Sequence, residues 1–367
     1  MGFNCGIVGL PNVGKSTLFN ALTATAAAQA ANFPFCTIEP NVGKVGVPDA
    51  RLDKIAAIGK SAKIVPTQLE FVDIAGLVKG ASKGEGLGNQ FLTNIRETDA
   101  IIHVLRCFED DDITHVDGSV DPIRDAETIE TELLLADMES LDKQITNIER
   151  KAKGGDKEFK EQYEFMKKVK AALDEGKPAR VVAPENPDEK RWVKQMAMLT
   201  AKPILYVCNV SEDDAAGGNA WSAKVADMAK AQGTQAVVIC AAIESEIAQL
   251  ESAEEKKEFL EAIGLEEAGL DRIIKAGYDL LGLQTYFTCG PKEARAWTMR
   301  KGAKAPEAAG EIHSDFEKGF IKAEVIAFDD FVNLGGEQAA KDAGKMRQEG
   351  KEYVVHDGDI ILFRFNV

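Results

Sequence analysis

The chain is predicted to fold as an α/β domain split by a helical insertion and followed by a small α+β module. Three observations carry this. A short apolar run, Cys5 to Val8, leads through Gly9-Leu10-Pro11-Asn12-Val13-Gly14-Lys15-Ser16 into a helix-like stretch from Thr17 to Leu22, which is the strand, loop and helix order of a phosphate-binding loop. Leu134, Met138, Leu141, Ile145 and Ile148 recur in alternating four- and three-residue steps, the spacing of a coiled-coil seam. From Leu281 onward short strand-like runs surround one helical segment, the mark of a compact α+β unit. The expected division is 1–129 and 196–280 for the nucleotide-binding domain, 130–195 for the insertion and 281–367 for the C-terminal module.

The first motif sets the chemistry. Glycines let successive backbone N–H groups turn toward a polyphosphate, and the helix that follows points its positive end at the same anion. Asn12, Val13, Gly14, Lys15, Ser16 and Thr17 are therefore the nucleotide-binding candidates, with Lys15 placed for the β/γ-phosphates and the Ser16 hydroxyl for Mg²⁺. Downstream, the apolar run Leu69-Glu70-Phe71-Val72 ends in Asp73-Ile74-Ala75-Gly76. An Asp at a strand end holds Mg²⁺ in P-loop hydrolases, and the Gly of D-x-x-G offers its N–H to the γ-phosphate. Thr37, between the two motifs, is the third metal candidate, as a switch residue closing over the γ-phosphate; the alternative is an ordinary loop threonine.

A base-reading element is expected at Asn209-Val210-Ser211-Glu212, after the strand-like run Ile204 to Cys208. A guanine reader has N-K-x-D there, because the Asp accepts from guanine N1–H and its 2-amino group. Here Val210 stands for the Lys and Glu212, one methylene longer, for the Asp, so guanine specificity is not supported. Asn209 has both a donor and an acceptor for adenine N7 and its 6-amino group. Cys240-Ala241-Ala242 is a weaker candidate for a backbone contact to the base.

Residues 9–22, the segment N-F-P-F-C-T-I-E-P-N (32–41), residues 71–92 and the N-x-S-E element resemble the YchF family of Obg-like ATPases over nearly the whole chain. The resemblance implies an Obg-type P-loop domain of the TRAFAC class that prefers ATP over GTP and hydrolyses it with Mg²⁺. It also implies that the C-terminal module is a TGS domain with a β-grasp fold, carried by residues 284–288, 295–298, 313–323 and 357–359. Ribosome or large-subunit binding follows from kinship alone.

Catalysis poses a sharper question than binding, because Leu77 follows D-x-x-G where many GTPases place a water-orienting Gln. Leucine cannot hydrogen-bond water. The resemblance implies a histidine on a mobile loop as the substitute, and the matching residue is His115. An imidazole there can orient or deprotonate water near neutral pH; the alternative is a solvated loop histidine flanked by acids. His103, inside the apolar run Ala100 to Leu105, reads as a core residue. The side chain of Asn12 is either a ligand for K⁺, which would act as a fixed cation between phosphates, or a cap on its own turn.

A second helical stretch, with Phe159, Tyr163, Met166, Val169 and Leu173 on one face, is expected to pair with the first as an antiparallel hairpin. Lysines and arginines from Lys143 to Lys170 crowd its distal half. They either contact RNA phosphates or form a solvated face balanced by nearby acids. In the last module, strands are expected at Thr285–Thr288, Ala294–Met299, Glu324–Phe328 and Ile360–Phe365, with a helix over Asp315–Ile321.

A net charge of −16 argues against sequence-blind nucleic-acid binding through the bulk surface. The six cysteines lack zinc spacing and read as buried, reduced thiols of a cytoplasmic protein. No apolar run is long enough for a membrane span, and no signal peptide is legible. Two functions remain open on the sequence. One is a slow Mg²⁺-dependent ATPase that changes conformation with nucleotide state on the ribosome. The other is a nucleotide-gated RNA- or ribosome-binding module, GTP or ATP, with negligible hydrolysis of its own.

Overall fold

The computed structural model describes residues 3–30, 42–74, 87–116, 118–250 and 252–366. Contacts divide it into two units, 3–43 with 70–273, and 44–69 with 274–367.

The first unit is built on β1 (Asn4–Val8), α1 (Lys15–Ala30), β2 (Val42–Gly46) and, after two elements that group with the second unit, α2 (Ala50–Gly59) and β3 (Ile64–Val65), on β4 (Gln68–Asp73), α3 (Leu87–Glu97) and β5 (Ala100–Arg106). After α4 (Pro122–Ala152), α5 (Lys157–Asp174) and α6 (Pro187–Met196) the chain returns to β6 (Ile204–Asn209), α7 (Ala220–Ala231), β7 (Ala236–Ile239), α8 (Ala241–Ile247), α9 (Ala253–Ala262) and α10 (Gly269–Leu280). The sheet order is β2-β4-β1-β5-β6-β7, with β1 parallel to β4 and β5, and β6 parallel to β5 and β7. Every residue of β5 and β6 is buried, as expected for strands covered on both faces. Such a sheet presents the C-terminal ends of its strands, and the loops that follow them, to a ligand.

The insertion is a hairpin with a third helix against it. Asp121 caps α4 by accepting from the Ile123 and Arg124 N–H groups, and Asp156 caps α5 through the Glu158 N–H. Between the two helices Gly155 turns the chain at φ +94°, a left-handed conformation that glycine adopts without strain. Leu141, Phe165, Met166, Val169 and Leu173 form the hairpin core, completed by Trp192 and Met196 of α6. The helix read from Glu130 thus starts earlier, at Pro122, and runs unbroken for 31 residues. Buried Asp137 of α4 accepts from the Leu199 and Thr200 N–H groups at 2.8 and 2.7 Å, fastening the insertion to the chain that enters β6.

In the second unit β8 (Leu283–Cys289), β9 (Ala294–Arg300), α11 (Ala305–Ile312), α12 (Ser314–Lys318), β10 (Phe320–Ile326), α13 (Phe328–Leu334), α14 (Glu337–Asp342), β11 (Arg347–Glu349) and β12 (Ile360–Phe365) form a mixed sheet, order β11-β10-β12-β8-β9-β3, with helices on it. This is the α+β module expected from the strand pattern. Two expected elements shift. The helix expected over Asp315–Ile321 stops at Lys318, because Gly319 ends it and Phe320 and Ile321 already belong to β10. The strand expected to reach Phe328 ends at Ile326, and Phe328 opens α13. Placement of the segment 44–69 also differs from the sequence division. β3 runs parallel to β9, pairing Ile64 with Ala294, and Leu52, Ile55 and Ala56 of α2 share a core with Phe287, Ala296 and Phe331.

Candidate nucleotide site

The phosphate-binding loop joins β1 to α1 in the first unit. Gly14 adopts φ +91°, and a Cβ there would collide with the Asn209 amide. At Gly9 a Cβ would lie 2.8 Å from the Val104 carbonyl oxygen. Neither position has room for a side chain, so the backbone is pressed against β5 and β6 with its N–H groups left to turn outward. Val13 is buried; Asn12, Ser16 and Thr17 are exposed at the start of α1, where a helix favours anions.

Lys15 is nearly buried, and its Nζ is paired with the Asp73 carboxylate at the end of β4. Two residues read from separate motifs are thus brought into contact, a cation suited to phosphate and an anion suited to Mg²⁺. Ser16 supplies a neighbouring exposed hydroxyl. This donor set fits a Mg²⁺-bound triphosphate, because hard oxygen ligands and a phosphate-binding cation occur together. Thr37, Gly76 and Leu77 lie outside the described residues.

Asn209 ends β6, and its side chain is already occupied on both sides. Nδ2 donates to the Val13 carbonyl at 3.0 Å, and Oδ1 accepts from the Ala241 N–H at 2.9 Å. The amide thus staples the phosphate loop to the start of α8, using one of its two N–H donors and one of its two acceptor lone pairs, and the Ala241 N–H is engaged in that bond. Val210 is buried, whereas Glu212 is exposed in a short 3-10 turn, Glu212–Asp214. Of the expected base-reading element, only the Glu212 side chain reaches solvent freely.

The loop after β5 holds His115. Arg106, 2% exposed, gathers it by donating to the carbonyls of Phe108, Ile113 and Asp110 at 3.1, 2.9 and 3.2 Å. Asn12 Nδ2 donates to the Thr114 carbonyl at 3.1 Å, so the Asn12 side chain does not cap its own turn but ties the phosphate loop to the residue preceding His115. The His115 ring is not solvated: it is buried, with Nε2 2.9 Å from Asp125 Oδ2. Arg124 approaches the other oxygen of Asp125 at 3.1 Å. Arg106 and Asp125 went unread in the sequence. The sign that was available for Arg106 was a lone cation closing an apolar strand; Asp125 carries no local signal.

His103 lies in the core of β5 as expected. Burial lowers its pKa to about 3, and among the described residues its Nε2 finds no hydrogen-bond partner. The described cysteines, 5, 107, 208, 240 and 289, are free, and desolvation pushes the Cys5 thiol up to about 12. No helix among the described residues is long and apolar enough to cross a membrane.

Comparison with known proteins finds relatives for both ends of the chain. The model for a 50S ribosome-binding GTPase matches residues 4–150, and that for the YchF GTPase C-terminal domain, a protein of unknown function (DUF933), matches residues 283–366. The chain is 58% identical to the ribosome-binding ATPase YchF of Bacillus subtilis over 369 residues, covering all of both chains. It is 51% identical to the Obg-like ATPase 1 of Rattus norvegicus over 366 residues, 98% of this chain and 92% of that one. The solved structure of the Schizosaccharomyces pombe YchF GTPase superposes with a TM-score of 0.88 at 39% identity, covering 99% of this chain and 98% of the other. With a phosphate loop seated as described and identity of this degree along its whole length, the chain belongs to the YchF family of Obg-like ATPases.

Proposed function

We propose that the protein is a cytoplasmic Mg²⁺-dependent ATPase, preferring ATP over GTP and slow by itself, that binds the ribosome and changes conformation with its nucleotide state. The observation that carries this is the pairing of Lys15 with Asp73 beside the exposed Ser16 hydroxyl. A triphosphate would engage Lys15 and leave the Asp73 carboxylate available to hold Mg²⁺. Mg²⁺, when bound, neutralises charge developing on the phosphates, with Ser16, Thr37 and Asp73 as its ligands. Gly76 offers its N–H to the γ-phosphate, Leu77 leaves the water unheld, and His115 orients it.

Ribosome binding comes from the names of the relatives, with the helical insertion and the C-terminal module as the surfaces for RNA. K⁺ would be held through Asn12 Oδ1, since the Asn12 amide nitrogen is engaged with the Thr114 carbonyl. ATP preference is supported by Val210 and Glu212 standing where a guanine reader has Lys and Asp.

The test is steady-state hydrolysis of ATP and GTP with Mg²⁺ or EDTA, with K⁺ or Na⁺, and with or without purified large ribosomal subunits. ATP turnover that needs Mg²⁺ and rises with subunits supports the reading. Nucleotide-dependent sedimentation with subunits but no turnover would replace it with the gated-module reading, which Leu77 favours.

A further inference from the structure

We infer that Asp125 is the positioning residue for His115, fixing the orientation of its ring; this rests on His115 being the residue that orients water. The backbone of the His115 loop is secured without Asp125. Arg106 binds three of its carbonyls, Asn12 holds Thr114, and the Gly118 N–H donates to the His115 carbonyl at 3.1 Å. These bonds hold the backbone, and Asp125 grips the ring itself, 2.9 Å from Nε2.

Asp125 is suited to the task. It is 1% exposed and sits in the first turn of α4, a 31-residue helix capped by Asp121, so its carboxylate moves little. Arg124 Nε and Nη2 approach Oδ1 at 3.3 and 3.1 Å, which leaves Oδ2 for the imidazole. A carboxylate only accepts, so the His115 Nε2 carries the hydrogen of this bond. A carboxylate that sets both ring orientation and tautomer is a recurrent arrangement behind working histidines, and its removal is costly although it touches no substrate.

The experiment compares Asp125→Asn, Asp125→Glu and His115→Ala with wild type. Steady-state ATP turnover is measured together with the imidazole ¹⁵N shifts of the protein bound to a non-hydrolysable ATP analogue. The chain has four histidines, and His115→Ala identifies the signal. In wild type His115 shows a single ring state with Nε2 protonated. Asp125→Asn mixes the tautomers and lowers kcat by about tenfold or more, with KM changed less than about twofold; Asp125→Glu restores part of kcat. A folded Asp125→Asn protein with wild-type or faster turnover, beside a slow His115→Ala, overturns the inference while leaving His115 its role. Lowered kcat with an unchanged tautomer overturns it as well, since a merely structural acid would do that. Wild-type turnover in His115→Ala removes the role of His115 itself, and the inference with it.

Discussion

Asn209 fastens the phosphate loop to the adjoining strand end. Its amide donates to Val13 at 3.0 Å, accepts from Ala241 at 2.9 Å and is 4% exposed. Replacing it by Ala leaves a buried carbonyl and a buried N–H without partners, a cost of about 1–3 kcal/mol. Because the loop itself is loosened, Asn209→Ala is expected to weaken ATP and GTP binding alike, by about tenfold or more. Calorimetry with both nucleotides checks this; loss confined to ATP would show that the amide acts chiefly by reading the base.

Lys15 and Asp73 neutralise one another, so each has a competitor for its ligand. Asp73→Asn frees Lys15 for phosphate yet removes a metal ligand. Affinity for ATP should therefore rise in EDTA and fall in Mg²⁺, each by an amount on the order of tenfold, about 1.4 kcal/mol. Two titrations decide it, and a change of the same sign in both would mean the pair does not gate the site.

The phosphate loop was legible because its residues are contiguous and its strand and helix flank it directly. The hairpin was legible because Leu141, Phe165 and Val169 repeat at helical spacing. The Asn209 staple was not, since an amide that reads a base and one that joins two loops are the same residue type at the same place. Asp125 was hidden for a similar reason: only the fold brings it to His115, and one acid among many at a helix start has no signature. The Arg51 to Asp357 bond at 2.6 Å spans 306 positions, beyond any local pattern.

His103 gives the fold an acid sensitivity. Burial holds its pKa at about 3, against about 6.5 in an unfolded chain. The folded form resists protonation, so the unfolded state binds more protons and stability falls as pH drops below the unfolded value. Its contribution is complete above about pH 7, and about 2 kcal/mol is lost by pH 5. His103→Leu should remove that loss. Urea midpoints at pH 7 and pH 5 test it: equal acid losses in both proteins would show that His103 is neutralised in some other way.

The boundary of the C-terminal module can be tested by dissection. Leu52 and Ile55 of α2 are almost wholly buried in the core that holds Phe287, Ala296 and Phe331, and β3 covers the edge of β9. Burial of two such side chains is worth about 1.5–3 kcal/mol each, comparable with the whole stability of a small domain, about 5 kcal/mol at the lower end. A fragment of residues 281–367 lacks both side chains and exposes the β9 edge, which invites pairing with other chains. It should show no cooperative thermal transition and should self-associate. Joining residues 44–69 to the start of a 274–367 fragment through a flexible linker should restore a single transition. A 281–367 fragment that unfolds cooperatively as a monomer would show that α2 and β3 are accessories to this core and not part of it.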